Sequence, residues 1–199
     1  MRAGISIIVA VICFLVLNSI IPTKNEAEIY NSTIRLHVIA NSDSEKDQEV
    51  KLKVRDAVLA HMDTYGAKTK EEAILAIEGD KENLKKIATQ CLKNEGFDNE
   101  VSIELTNEGY PTRKYEGFLL PAGNYTSLKI IIGSGKGQNW WCVLYPPLCT
   151  SVALDYDSDE AIEVGLTKDQ YNLITGASGE YKIKLKILEM ASRAFGFDY

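Results

Sequence analysis

The chain has 199 residues, 45% of them hydrophobic and 25% charged, with a formal net charge of −6. That much apolar material excludes a disordered tail and suffices for one domain. The acidic balance argues against nucleic acid as the main partner, because neutralising phosphates needs a basic face.

The first residues read as a targeting segment. Arg2 precedes an apolar run from Ile5 to Leu17, which Asn18, Ser19 and Pro22 end before a polar stretch from Thr23 to Glu28. The run has the length of a signal-peptide core and falls short of the ~20 residues of a spanning helix. Ile20 and Ile21 lengthen it, and Asn25-Glu26-Ala27 is a poor cleavage site, so a retained anchor stays open beside a cleaved peptide. We expect residues 1–28 to be a signal peptide or membrane anchor, and residues 29–199 a single exported domain that meets the membrane only through this segment.

Ile29 to Ala40 alternates like a strand and is rich in β-branched residues. Asn41-Ser42-Asp43-Ser44 follows as a turn-and-cap cluster, with Ser44 and Asp47 at capping-box spacing. A helix to about Met62 then carries Val50, Val54 and Val58 on one face. Gly66 breaks it, Thr69 and Glu72 offer a second box, and an apolar face runs to Gly96, either as one helix interrupted at Gly79-Asp80 or as two. Strands are expected at Val101–Leu105, weakly at Tyr115–Leu119, at Ser127–Gly133 and at Trp140–Tyr145, with Gly133 to Gly137 joining the last two as a hairpin loop. Asp155 to Glu160 reads as an acidic loop, and Thr167 with Gln170 caps a short helix ending near Gly176. Glu180 to Ala194 fits strand or helix, with length favouring helix. The order predicts an α+β fold, a mostly antiparallel sheet packed by helices on one side.

Little in the chain carries chemistry. Gly133-Ser-Gly-Lys-Gly137 lacks the Ser or Thr after its lysine and the following helix that a phosphate loop requires. Only two histidines occur, His37 and His61, and the common serine- and zinc-hydrolase signatures are missing. No Cys or His pair stands at zinc spacing beside a second pair, so neither metal nor cofactor is expected. Cys13 lies in the targeting segment and Cys91 on an apolar helix face. Cys142 and Cys149 flank a Pro146-Pro147 bend, and export would permit a disulfide worth about 2.5 kcal/mol in the chain-entropy model. Two reduced core thiols are the alternative. Trp140 and Trp141 should face opposite sides of a strand, one as core and the other as a partner anchor, unless layers bury both.

Two strings resemble the stage II sporulation protein R family of endospore-forming Firmicutes. One runs from Arg35 through Asn41-Ser42-Asp43, Asp47-Gln48 and Lys51 to Asp56. The other comprises Gly123-Asn-Tyr125, Leu128 to Ile130, the glycines of 133–137 and Asn139 to Cys149. The resemblance implies a non-enzymatic signal, exported from the forespore into the space between forespore and mother cell. There it triggers a membrane-embedded aspartic protease that cleaves the precursor of sporulation sigma factor E. We place the partner face on Arg35, His37, Asn41, Ser42 and Asp43, with Trp140 and Trp141 as a second patch. The competing assignments are a turn-and-cap device for the loop and core for the tryptophans. A secreted cell-wall or peptide hydrolase and a purely structural envelope protein are the rival functions.

Overall fold

The computed structural model describes residues 23–148 apart from 116, residues 166–176, and isolated positions 6, 7, 10, 11, 13, 14, 159, 162 and 187. Isolated positions apart, the apolar run over 5–17, Cys149, the acidic stretch 155–160 and the final segment 180–194 lie outside the described residues.

The described chain opens with a helix where the alternation predicts a strand. Helix α1 spans Lys24–Ser32 and starts from a reciprocal capping box. Thr23 Oγ1 accepts from the Glu26 amide, and Glu26 accepts from the Thr23 amide at 2.6 Å. The expected boundary at residue 28 therefore falls inside α1. Strand β1 is the shorter Ile34–Ile39. Helix α2 covers Glu45–Met62 from the Ser44 cap and buries Val50, Val54 and Val58. A 3-10 turn at Asp63–Tyr65 leads to helix α3, Lys70–Asn94, capped by Thr69. This helix runs unbroken through Gly79, whose Cα faces open space. It ends at Gly96, with the Phe97 amide donating to the Leu92 carbonyl at 2.9 Å.

Five strands follow. β2 is Val101–Tyr110, twice the predicted length, and the weak segment after it is a small hairpin of β3, Arg113–Lys114, and β4, Leu119–Leu120. β5 is Gly123–Ile132 and β6 is Asn139–Tyr145. Helix α4, Lys168–Ile174, carries the predicted Thr167–Gln170 capping box. The main sheet has the order β2-β5-β1-β6, with β1 parallel to β5 and the other two pairings antiparallel. The fold is α+β, with a mixed, mostly antiparallel sheet. β5 and β6 are not the hairpin expected from the glycine-rich link. β1 lies between them, and a central position for a strand so distant in sequence leaves no local signal.

Side-chain alternation in β1 sorts the two faces. Ile34, Leu36 and Val38 point to α2 and α3 and join Val54, Ile77, Leu84 and Leu92 in the larger core. The opposite face is not bare, as a one-sided helical layer would leave it. α1, α4 and the β3-β4 hairpin cover part of it and bury Ile29, Tyr110, Tyr125, Val143 and Leu173 in a second core.

The loop over 133–137 crosses the end of β1 and is fastened there. The Ser134 amide donates to Asn41 Oδ1 at 3.0 Å, the Ser134 hydroxyl to the Asn41 carbonyl at 2.8 Å, and the Gly137 amide to the Ala40 carbonyl at 2.9 Å. These amides are thus spent on Ala40 and Asn41, not held out for an anion. A Cβ at Gly137 would collide with the backbone carbonyl of Ser42, and Gly133 holds a left-handed φ of 57° against the Asn41 side chain. On its other side Asn41 Nδ2 donates to Asp47 at 3.1 Å, and Ser42 Oγ donates to the same carboxylate at 2.5 Å. The Ser42 bond is the main reason that Asp47 sits below the ordinary carboxyl range. Where α2 meets α3, Tyr65 and His61 do the same for Asp80, at 2.8 and 2.6 Å.

A depressed carboxyl pKa gives stability that is present above the unfolded value and lost as pH falls through the folded one. Urea midpoints measured against pH should therefore hold from neutrality to about pH 4, near the ordinary Asp value, and then decline. Asp47→Asn should lower the neutral midpoint and flatten that decline. Asn41→Ala should cost about 1–3 kcal/mol, because it strands two partners of the latch. A neutral effect at Asn41 would remove the latch.

Candidate partner-binding site

The sequence candidates separate into three settings. Arg35 is fully buried. Its Nε donates to the Cys142 carbonyl at 2.9 Å and its Nη2 to the Tyr115 hydroxyl at 2.6 Å. Its guanidinium lies 4.2 Å from the ring centre of Tyr110 and 5.0 Å from that of Tyr125. No carboxylate contacts it among the described residues, so aromatic quadrupoles and two acceptors carry the charge. Nη1 has no hydrogen-bond partner among the described residues. Burial raises the pKa of Tyr110 and Tyr115, which keeps the cage neutral. Arg35 has no surface to give a partner and instead ties β1 to β2, β5, β6 and the hairpin. The tyrosines of this cage are spread over residues 110–125, and no spacing in the sequence connects them to Arg35.

His37 stands on the same face, two residues nearer the open end of the sheet. Nδ1 lies 2.9 Å from Glu108 Oε2 and Nε2 2.8 Å from Asn139 Oδ1. Glu108 also pairs with Lys129 at 2.6 Å. Burial opposes its charge, yet Lys129 and His37 together outweigh that and hold the carboxyl below its usual range. The His37 ring lies 5.5 Å from the ring of Trp141, which Arg113 covers at 3.8 Å. Glu108, Lys129, His37, Asn139 and Trp141 thus form one strip across all four strands. Glu108, Lys129 and Asn139 carry no distinctive sequence signal. The strip emerges only from the strand order.

The remaining candidates lie at the rim. Asn41 and Ser42 serve the latch, whereas Asp43 is exposed. Trp140 faces the helix side of the sheet, 37% exposed, under the Arg55 guanidinium at 4.4 Å. The two tryptophans therefore belong to different surfaces, as strand alternation requires, and only Trp141 joins His37. Cys142 is buried in β6, and Cys13 and Cys91 are free thiols. Neither imidazole hydrogen-bonds to a Ser, Thr or Cys side chain among the described residues. Both ring nitrogens of His37 are engaged, by Glu108 and by Asn139. No group of three or more potential metal ligands occurs among the described residues.

The family model for stage II sporulation protein R matches residues 30–155. That span includes the latch, the Arg35 cage and the whole strip. The chain belongs to the stage II sporulation protein R family. It is 38% identical over 137 residues to stage II sporulation protein R of Bacillus subtilis (strain 168), an alignment covering 68% of this chain and 60% of that protein. The chain thus spans about three fifths of the length of the curated relative that it matches. No solved structure matches it. Membership supports a role in sporulation, and the matched region holds the described sheet with α2 and α3.

The cage leads to a stability test. Arg35→Ala should destabilise by about 3 kcal/mol or more, since it opens a cavity and takes a donor from the Cys142 carbonyl and from the Tyr115 hydroxyl. Arg35→Met, which keeps the packing and removes the buried charge, should recover most of that loss. Thermal unfolding of the three proteins decides this. Equal loss in Met and Ala would mean that the charge itself is required.

Proposed function

We propose that this protein is an exported signal of endospore formation and that it acts by recognition. It is made in the forespore and crosses the forespore membrane by its N-terminal segment. In the space between forespore and mother cell it binds and switches on a membrane-embedded aspartic protease that processes the precursor of sporulation sigma factor E. Membership of the stage II sporulation protein R family is the observation that carries this reading. The site geometry supports it in a second way. The polar groups of the strip bond one another and hold a fixed surface around Trp141, and nothing among the described residues favours the rival hydrolase. The covalent part of the proposal joins Cys142 to Cys149. Export permits it, and the two free cysteines elsewhere leave that pairing available.

Dose separates a ligand from an enzyme. Purified exported domain, added to membranes that hold the protease and its sigma-factor substrate, should activate processing in proportion to occupancy and saturate. His37→Ala should shift the dose without lowering the plateau. A general base would instead lose roughly 10²–10⁴ of turnover at every dose. Full activation by trace protein, with His37→Ala inactive throughout, would overturn the recognition reading. Lysine at Val9 and Leu15 should hold the protein in the forespore and abolish signalling. Mass mapping of unreduced protein should recover a Cys142–Cys149 peptide pair, and two free thiols there would exclude the bond.

A further inference from the structure

Of the sheet's two edges, β2 carries no backbone partner on its outer side among the described residues, along the ten residues Val101–Tyr110. An open row of amides and carbonyls this long is a template for another strand. Natural edges are commonly kept short or interrupted by proline, and this one is neither. Its side chains carry a sign. On the face opposite the helices β2 presents Ser102, Glu104, Thr106 and Glu108, with Glu100 just before it. Glu108 is satisfied by Lys129 and His37. Glu104 stands opposite Lys129 in register but loses it to Glu108, and it is left exposed with the Ser102 hydroxyl at 3.4 Å.

That pattern discriminates between occupants. A second copy pairing antiparallel about Thr106 sets Glu104 against Glu108, and about Glu104 sets that residue against itself. Centred on Leu105, the same glutamates lie on diagonals. Like charges across a strand pair are destabilising, and opposite charges contribute. We propose that β2 is a docking edge for an extended segment of a partner protein, a strand with Lys or Arg at alternate positions that adds to the sheet beside Glu104. This rests on the reading of the chain as a ligand, and it assigns the basic strand to the exposed part of the membrane protease.

The test uses the full exported domain with a photo-crosslinking residue at Ser102, Glu104 or Asn107, all exposed on β2, or at Leu75, 72% exposed on α3. Each protein is added to membranes that hold the protease, and both processing and adducts are recorded. The β2 positions should give adducts with the membrane protein and Leu75 none. In the same assay Glu104→Lys should raise the half-maximal dose about fivefold with an unchanged plateau, and Glu104→Gln should fall between, as a cross-strand charge pair predicts. Adducts from Leu75 alone, adducts to a second copy of this chain, or an unchanged dose for Glu104→Lys would each overturn the edge. Full activation without β2 adducts would overturn the edge and leave the ligand reading standing. Failure of the unmodified protein to activate would remove both.

Discussion

Strand β1 is hydrogen-bonded on both sides, and this double pairing sets the terms for much of the rest. A strand parallel to its neighbour needs a long crossover, here supplied by α2, α3 and β2. A strand lying between β5 and β6 obliges their connection to pass over its end. That connection has only residues 133–138 to do so, and it must lie close against residues 40–42. Glycines at 133 and 137 meet the steric demand, and Asn41 meets the hydrogen-bonding one. Asp47 then takes up the donors of Asn41 and Ser42, so the first turn of α2 is fixed by the same cluster. The two strings that resemble the family meet here, in space, as the two halves of one joint.

The same strand determines how its faces are used. Toward α2 and α3 it contributes only apolar side chains. On the other face it offers Arg35 and His37, one buried and one at the margin, and the covering elements divide between them. α1, α4 and the β3-β4 hairpin close over Arg35, where three tyrosines accept a cation that would otherwise be costly to bury. They stop short of His37, and from there the polar strip runs across all four strands. Full burial of Arg35 and the 8% exposure of His37 mark where the second core gives way to the strip.

Local signals made much of this legible. Valines at helical spacing, Thr69, Gly96 and the Thr167–Gln170 box place α2, α3 and α4 close to where they lie. Thr23 and Glu26 stand at capping-box spacing and start helix α1, inside a stretch whose polarity reads only as the end of the targeting segment. What no local rule conveys is the strand order. It turns an apparent β5–β6 hairpin into a crossing over β1, and it brings Tyr110, Tyr115 and Tyr125 around Arg35 from a stretch with no visible link to it. The candidate site divides the same way. Alternation set Trp140 and Trp141 on opposite faces without choosing which joins His37, whereas the Arg35 cage and the partners Glu108, Lys129 and Asn139 depend on pairings far apart in sequence.

The strip and the free edge differ in what binding would cost there. A partner seated on the strip must compete with bonds already made, since the carboxylate of Glu108 and both nitrogens of His37 are engaged. Each displaced bond returns little net free energy unless the partner replaces it in kind. The outer amides and carbonyls of β2 have no backbone partner among the described residues, so a strand laid there displaces no internal bond of theirs. Glu104 adds a charge that no cation among the described residues pairs with. The strip is therefore suited to hold its shape, with Trp141 flanked by Arg113 and His37, while the edge beside it retains unspent bonding capacity. Recognition that begins at β2 and extends over the strip needs no rearrangement of the Arg35 cage or of the Asn41 latch, and the domain can meet its partner as the rigid body those two clusters make it.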